Sequence, residues 1–499
     1  MKLVNRLTSV FTVLALTFAS HSVLAESAAR PNIIFILADD IGYGDLSCYG
    51  ATKVKTPNID RLAREGIRFI DAHATGSVCT PSRYAFLTGE YAWRNPAGAH
   101  ILNGEAPLAI DPTSTTTPSL LRQAGYATGM VGKWHIGLGK GDIDFNKEIK
   151  PGPLEVGFDY AFYFPVTGDR VPCVFIENHK VVGLDPNDPI HISYHGKVGN
   201  DPTGKEHPEL LKVRPSQGHD GTIVNGISRI GFMSGGKAAR WTDELMADTL
   251  TKKAVEFIEQ QQKKPFFLYF ATQNIHVPRV PNPRWKGSSG CGIRGDYIQE
   301  FDGCVGEIIS TLERLKLAEN TLLIVSSDNG GVMDDGYKDG AVEDANGHLC
   351  NGVLRGFKGS LWEGGHRVPF IARWPGKIKP GSESTQVIGL VDMMATFGAI
   401  VGQPLPKEAG PDSFNVLAAL VGENPQQPVR DHLVVQSNST MHLAIRKGAW
   451  KWIAPGDELY NLTEDLSETE NLAAIHPDKV KELSELLQQI RDKGRSRPE

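Results

Sequence analysis

The sequence has no long run of basic residues and no interleaving of aromatic with basic ones, and its net charge is −6. A nucleic-acid partner is excluded on that ground, because holding a polyanion takes a concentrated positive face. An anionic substrate would have to be gripped by a few local cations. Internal repeats and low-complexity segments are absent as well, which removes solenoid and fibrous architectures. No apolar run is long enough to span a bilayer. Cysteine is scarce: Cys48, Cys79, Cys173, Cys291, Cys304 and Cys350 are the whole set. An oxidising compartment would permit bridges among them, and Cys291 with Cys304 is the pairing considered.

What is present suits an exported globular protein. Lys2 and Arg6, the apolar residues 10–18 and the small-residue site at Val23-Leu24-Ala25 read as a secretory signal over residues 1–25, so a periplasmic or secreted location is expected. With 499 residues and 40% hydrophobic content there is room for one large α/β domain plus a smaller one. Apolar runs at 32–38, 127–131, 266–271 and 321–325 alternate with helical patterns at 58–65, 119–124, 243–261 and 299–315. That alternation predicts a mostly parallel sheet flanked by helices, with ligands beyond the carboxyl ends of its strands. Residues 26–430 are expected to form this domain. Within it, 141–240 is rich in Gly, Pro, His and Asp and reads as a substrate-shaping insertion outside the central sheet. Residues 431–499 read as a small α+β subdomain, with short strands and then a helix at 477–493.

Most chemistry-bearing residues follow an apolar run. Asp39-Asp40 follows the first and Asp328-Asn329 the last, giving three carboxylates and an amide oxygen at two strand ends, a set suited to Ca²⁺. Taken singly, each pair could be a cap or a turn. Lys133 and His135 end the run at 127–131, two residues apart and therefore on one face of an extended strand. A cation beside an imidazole suits anion binding with proton transfer; the alternative is a surface lysine beside a core histidine. His276 lies beyond 266–271, and Lys358 sits in Arg355-Gly356-Phe357-Lys358-Gly359, where glycines let backbone approach a ligand.

Cys79-Thr80-Pro81-Ser82-Arg83, with Leu87-Thr88-Gly89 downstream, resembles the sequence oxidised to formylglycine in the type I formylglycine-dependent sulfatases of the alkaline phosphatase-like superfamily, carbohydrate sulfatase branch. Asp39, Asp40, Cys79, Arg83, Lys133, His135, His276, Asp328, Asn329 and Lys358 each fall on a motif of that family in the right order. The resemblance implies an alkaline phosphatase-like fold and cleavage of O-sulfate from a carbohydrate, with sulfated galactose or N-acetylgalactosamine preferred. It implies a formylglycine-generating maturation enzyme as partner and a nucleophile at position 79, one hydroxyl of the hydrated aldehyde attacking and the other expelling sulfate. It assigns Ca²⁺ to Asp39, Asp40, Asp328, Asn329 and residue 79, the nucleophile's support to Arg83 and Lys133, proton uptake to His135, and the sulfate and leaving group to His276 and Lys358. Substrate contacts are expected from Trp93, Arg94, His100 and one of His191, His195 or His219. A phosphatase or phosphodiesterase of the same fold, or a noncatalytic sulfoglycan-binding protein, is the alternative reading.

Overall fold

The computed structural model describes residues 30–141, 143–423 and 426–498. The expected signal segment lies outside them. The Asn32–Ala38 run, apolar after its first residue, is buried throughout, as a strand covered on both faces must be. It pairs in parallel with Phe266–Ala271 on one side and Thr321–Ser327 on the other. Beyond Phe266–Ala271 come Ala127–Lys133 and then Tyr160–Phe164, also parallel. Phe370–Arg373 and Ile67–Phe69 continue the opposite flank in antiparallel pairing, and ten strands make up the sheet.

Two groups of helices cover it. Pro57–Glu65, Met246–Gln261 and Gly292–Arg314 pack on one another, as do Cys79–Thr88, Thr117–Gln123 and Met393–Ile400. Phe35 shows how the second group is held: its ring meets Phe86 and Phe397 from two of those helices, at 4.5 and 6.4 Å between centroids. Because the four inner strands run in parallel, their carboxyl ends open on one edge. Asp39-Asp40, residues 272–276, Asp328-Asn329 and Lys133 all leave the sheet there.

The chain then builds a four-stranded antiparallel sheet in the order His432–Ser437, Ser439–Lys447, Trp450–Ile453, Glu458–Asn461. The amphipathic Pro477–Asp492 helix buries Leu483, Leu487 and Ile490 in a core with Leu443, Leu459, Tyr91 and Val391. Each such aliphatic side chain contributes about 1.5–3 kcal/mol of transfer free energy, so this subdomain is fastened to the main body by shared core.

Two expectations are corrected. The 141–240 segment is not outside the central sheet: Tyr160–Phe164, Ile176–Glu177 and Lys180–Val181 are three of its ten strands. Tyr160–Phe164 is an aromatic run lying between Gly157 and Pro165, and the surrounding glycines and prolines mask its pattern. Cys291 and Cys304 are not bridged, and all six cysteines are free. Cys291 caps the Gly292–Arg314 helix while Cys304 lies within it, about 20 Å along by helical rise, far beyond the reach of a disulfide.

Candidate active site

Cys79 is the first residue of the Cys79–Thr88 helix and is 2% exposed. Its Sγ lies 3.8 Å from Asp39 Oδ1. Burial pushes the thiol up to about 12, against Lys133 and Lys358. As a cysteine it is therefore almost wholly protonated at neutral pH and a poor nucleophile.

Around it, carboxylates and cations interlock. Lys133 Nζ donates to both oxygens of Asp39, at 2.9 and 2.7 Å. Arg83 donates through Nε and Nη2 to Asp328 Oδ2, at 2.9 and 2.7 Å, and through Nη1 to the Lys133 carbonyl at 3.0 Å. Lys358 Nζ donates to Asp40 Oδ2 at 2.9 Å and to Asp335 Oδ2 at 2.8 Å. One oxygen each of Asp39, Asp40 and Asp328 falls within 4.8 Å of the others, and all three residues are buried. Burial, reinforced by Asp328 and Asp40, pushes the Asp39 carboxyl up to about 8 even with Lys133 and Arg83 beside it. Asp328 is held below the usual range: burial works to raise it, but Arg83 and Lys133 prevail. Asn329 donates its Nδ2 to Asp40 Oδ1 at 2.8 Å, whereas its Oδ1 is buried with no partner. Crowded carboxylates beside an orphaned amide oxygen fit a hard, oxygen-seeking cation.

The hydrogen bonds of the two histidines fix their tautomers. His135 Nε2 faces the Leu102 carbonyl at 3.0 Å and must carry the proton there, which leaves Nδ1 bare; that atom is buried without a partner. His276 Nδ1 donates to the Val277 carbonyl at 2.7 Å, so its Nε2 is the free nitrogen, 3.9 Å from Asp40 Oδ2 and 3.8 Å from Asp335 Oδ2. Burial comes first in holding both imidazoles well below their ordinary value, followed by Lys133, Arg170 and Arg83 at His135 and by Lys358 and Lys133 at His276.

The structure thus gathers Asp39, Asp40, Cys79, Arg83, Lys133, His135, His276, Asp328, Asn329 and Lys358 at one edge. One detail differs from the strand reading: the strand ends at Lys133, and His135 comes back beside it through a left-handed turn at φ 57°, with Thr80 Oγ1 donating to its carbonyl at 3.0 Å.

The expected substrate residues scatter. Arg94 is spent on Asp412, at 2.8 and 2.9 Å, and on the Ile490 carbonyl, and its guanidinium lies over the Trp93 ring. Both residues fasten the C-terminal subdomain and do not line the cleft. His191 pairs with Ser234 in a separate two-stranded antiparallel sheet, and the His195 side chain is 91% exposed, 4.0 Å from Glu105. His100 is exposed, two residues before Leu102. His219 alone of the six is tied to the centre: its Nε2 is 2.8 Å from Asp169 Oδ2, and the Asp169 charge is felt by His276. Sequence reasoning missed Asp335 and the Leu102 carbonyl. No motif marks either, since their roles come from tertiary contact.

The family model described as Sulfatase matches residues 31–402. The chain is 50% identical to an N-acetylgalactosamine-6-O-sulfatase of Bacteroides thetaiotaomicron, with 98% of this chain and 100% of that one covered. It is 32% identical to a steryl-sulfatase of Rattus norvegicus over 80% of this chain and 71% of that one. A solved sulfatase structure from work on glycosaminoglycan metabolism by Bacteroides thetaiotaomicron superposes with a TM-score of 0.91 at 51% identity, covering 93% of this chain and 100% of that chain.

Proposed function

The chain belongs to the sulfatase family and is a sulfuric ester hydrolase, and from that premise we propose that it removes 6-O-sulfate from N-acetylgalactosamine or galactose residues of a glycan. The observation that carries the reading is a position-79 side chain buried in one cluster with three carboxylates and three cations, in a chain half identical to a sulfatase of that named specificity.

Ca²⁺ is the cation proposed for Asp39, Asp40, Asp328 and Asn329, where it would polarise a sulfate oxygen and offset the carboxylate charge. Oxidised to formylglycine and hydrated, position 79 would supply one oxygen for attack and a second for release. The chain's own residues do the rest. Lys133 aims Asp39, and Arg83 aims Asp328 and keeps it ionised. Lys358 and neutral His276 meet a sulfate ester from the solvent side, where Lys358 compensates charge and the free Nε2 of His276, once protonated in the presence of the anion, serves the departing sugar oxygen. A sugar alkoxide is a poor leaving group, so this proton matters. Bare His135 Nδ1 then takes a proton from position 79 to release product. Arg170, with its charge reaching Asp335 and the position-79 side chain, and His219 on Asp169 form the polar wall proposed for the sugar.

A panel of regiodefined sulfated sugars tests the assignment. The 6-sulfated galacto-configured sugars should react fastest, aryl sulfate should outpace aryl phosphate, and Ca²⁺ should restore chelated enzyme better than Zn²⁺. Preference for a 4-sulfated or gluco-configured sugar would overturn it.

A further inference from the structure

His276 sits on a loop, yet its role demands a fixed position. From the end of the Phe266–Ala271 strand the chain runs through Asn274-Ile275-His276-Val277-Pro278 to Asn282 before reaching Pro283–Trp285. The Asn274 carbonyl accepts from the Asp39 N–H at 2.8 Å, and the Ile275 N–H donates to the Asp39 carbonyl at 2.7 Å. The backbone beside His276 is therefore docked onto a candidate metal ligand.

Glu300 stands behind this loop, on the Gly292–Arg314 helix, and is 2% exposed. Its Oε2 accepts from Asn274 Nδ2 at 2.9 Å, and its Oε1 accepts from the Asn282 N–H at 2.9 Å. The two oxygens of one carboxylate thus hold both ends of the segment that carries His276. Among the described residues no salt bridge to Glu300 is formed, and burial pushes its carboxyl up to about 7. A buried carboxylate without a cation is costly in a fold that has no use for it. The side chain reaches neither Cys79 nor the carboxylate cluster, so any influence on chemistry passes through the loop.

We infer that Glu300 is a positioning residue for His276, clamping Asn274 and Asn282 so that the imidazole meets the leaving oxygen. This rests on the reading of His276 as the leaving-group acid. Glu300→Ala and Asn274→Ala should each lower kcat for a sugar sulfate about 10- to 100-fold and leave kcat for an aryl sulfate with a good leaving group within about 3-fold, because the latter needs no proton. Their double variant should be no worse than either single one, since both cut the same link. Glu300→Gln should recover most of the sugar activity: its amide oxygen can take the Asn282 N–H, while Asn274 Oδ1, buried and without a partner, can turn to accept its Nε2.

His276→Ala is measured alongside. If it shows no dependence on the leaving group, the reading of His276 fails. If it does while Glu300→Ala and Asn274→Ala slow both substrates equally or neither, the positioning role is wrong. Should Glu300→Ala not fold, the Asn274→Ala ratio of sugar to aryl rates decides alone, an unchanged ratio overturning the inference.

Discussion

Two histidines share this centre, and what separates them is which nitrogen each has already committed. His135 has given Nε2–H to Leu102 and offers Nδ1; His276 has given Nδ1–H to Val277 and offers Nε2. His135→Ala should complete one round of sugar release and stall, whereas His276→Ala should slow that first round, most for leaving groups of high pKa. Burst kinetics distinguish the two, and a burst in the His276 variant would reverse the assignment. The acid limb follows from the same environment. The proton uptake proposed for His135 needs a neutral acceptor, and the imidazole is held well below its ordinary value near 6.5, so that form persists as pH falls through 6.5. Because His135 acts after the sugar has left, its limb belongs to kcat and should lie clearly below 6.5. A limb centred at or above 6.5 would remove His135 from the role. Side chains of this kind were legible in the sequence because their chemistry is written in short motifs. Glu300 and Asp335 were not, because nothing near them in sequence announces the tertiary partner that gives each its use.

Strands and helices carry these side chains only if they close tightly, and Gly132 is where that closure is tightest. It precedes Lys133 at φ +112°, and a Cβ there would sit 1.7 Å from the Ala271 carbonyl oxygen of the neighbouring strand. Gly132→Ala should force apart the two strands that aim Lys133 and the His276 loop, costing about 1–3 kcal/mol in backbone strain alone and about 100-fold in kcat/KM. Thermal unfolding and steady-state rates check both, and a variant with wild-type kcat/KM would show that the strand spacing is not what places Lys133. Elements of this kind were read unevenly. Asn32–Ala38 and Phe266–Ala271 appear at the expected bounds because continuous apolar runs buried on both faces leave no ambiguity. The Gly292–Arg314 helix begins seven residues ahead of its expected start at 299, through Gly292 and Gly295, residue types that weaken a helical pattern.

At the scale of the whole molecule, main body and C-terminal subdomain meet over a buried charge network as well as a shared core. Lys451 Nζ lies 3.0 Å from Glu363 Oε1 and 2.8 Å from Glu468 Oε1. Next to it, His73 and His366 face each other with Nδ1 atoms 3.0 Å apart. Lys451→Met should leave Glu468 buried without its cation and Glu363 with Arg367 alone, and destabilise the protein by about 3–5 kcal/mol, seen as a lower melting temperature. A loss below about 1 kcal/mol would mean that water or Arg367 replaces the ammonium. The subdomain was visible in the sequence as short strands and an amphipathic helix, whereas this network, which joins residues from His73 to Glu468, was not. The burial of Cys79 also sets an order of events. A side chain 2% exposed at the start of a fully buried helix is closed to any protein that would oxidise it, so the proposed conversion has to be finished before the chain folds. Folded protein made without a formylglycine-generating enzyme should stay inactive when such an enzyme is added later. The same protein, unfolded, treated and refolded, should gain activity, and its peptide ending at Arg83 should become about 18 Da lighter, the difference between a thiol and an aldehyde. Activation of the native protein without unfolding would show that the fold opens far enough at this helix to admit a second protein, making residence in the cell rather than the moment of synthesis the window in which the enzyme acquires its nucleophile.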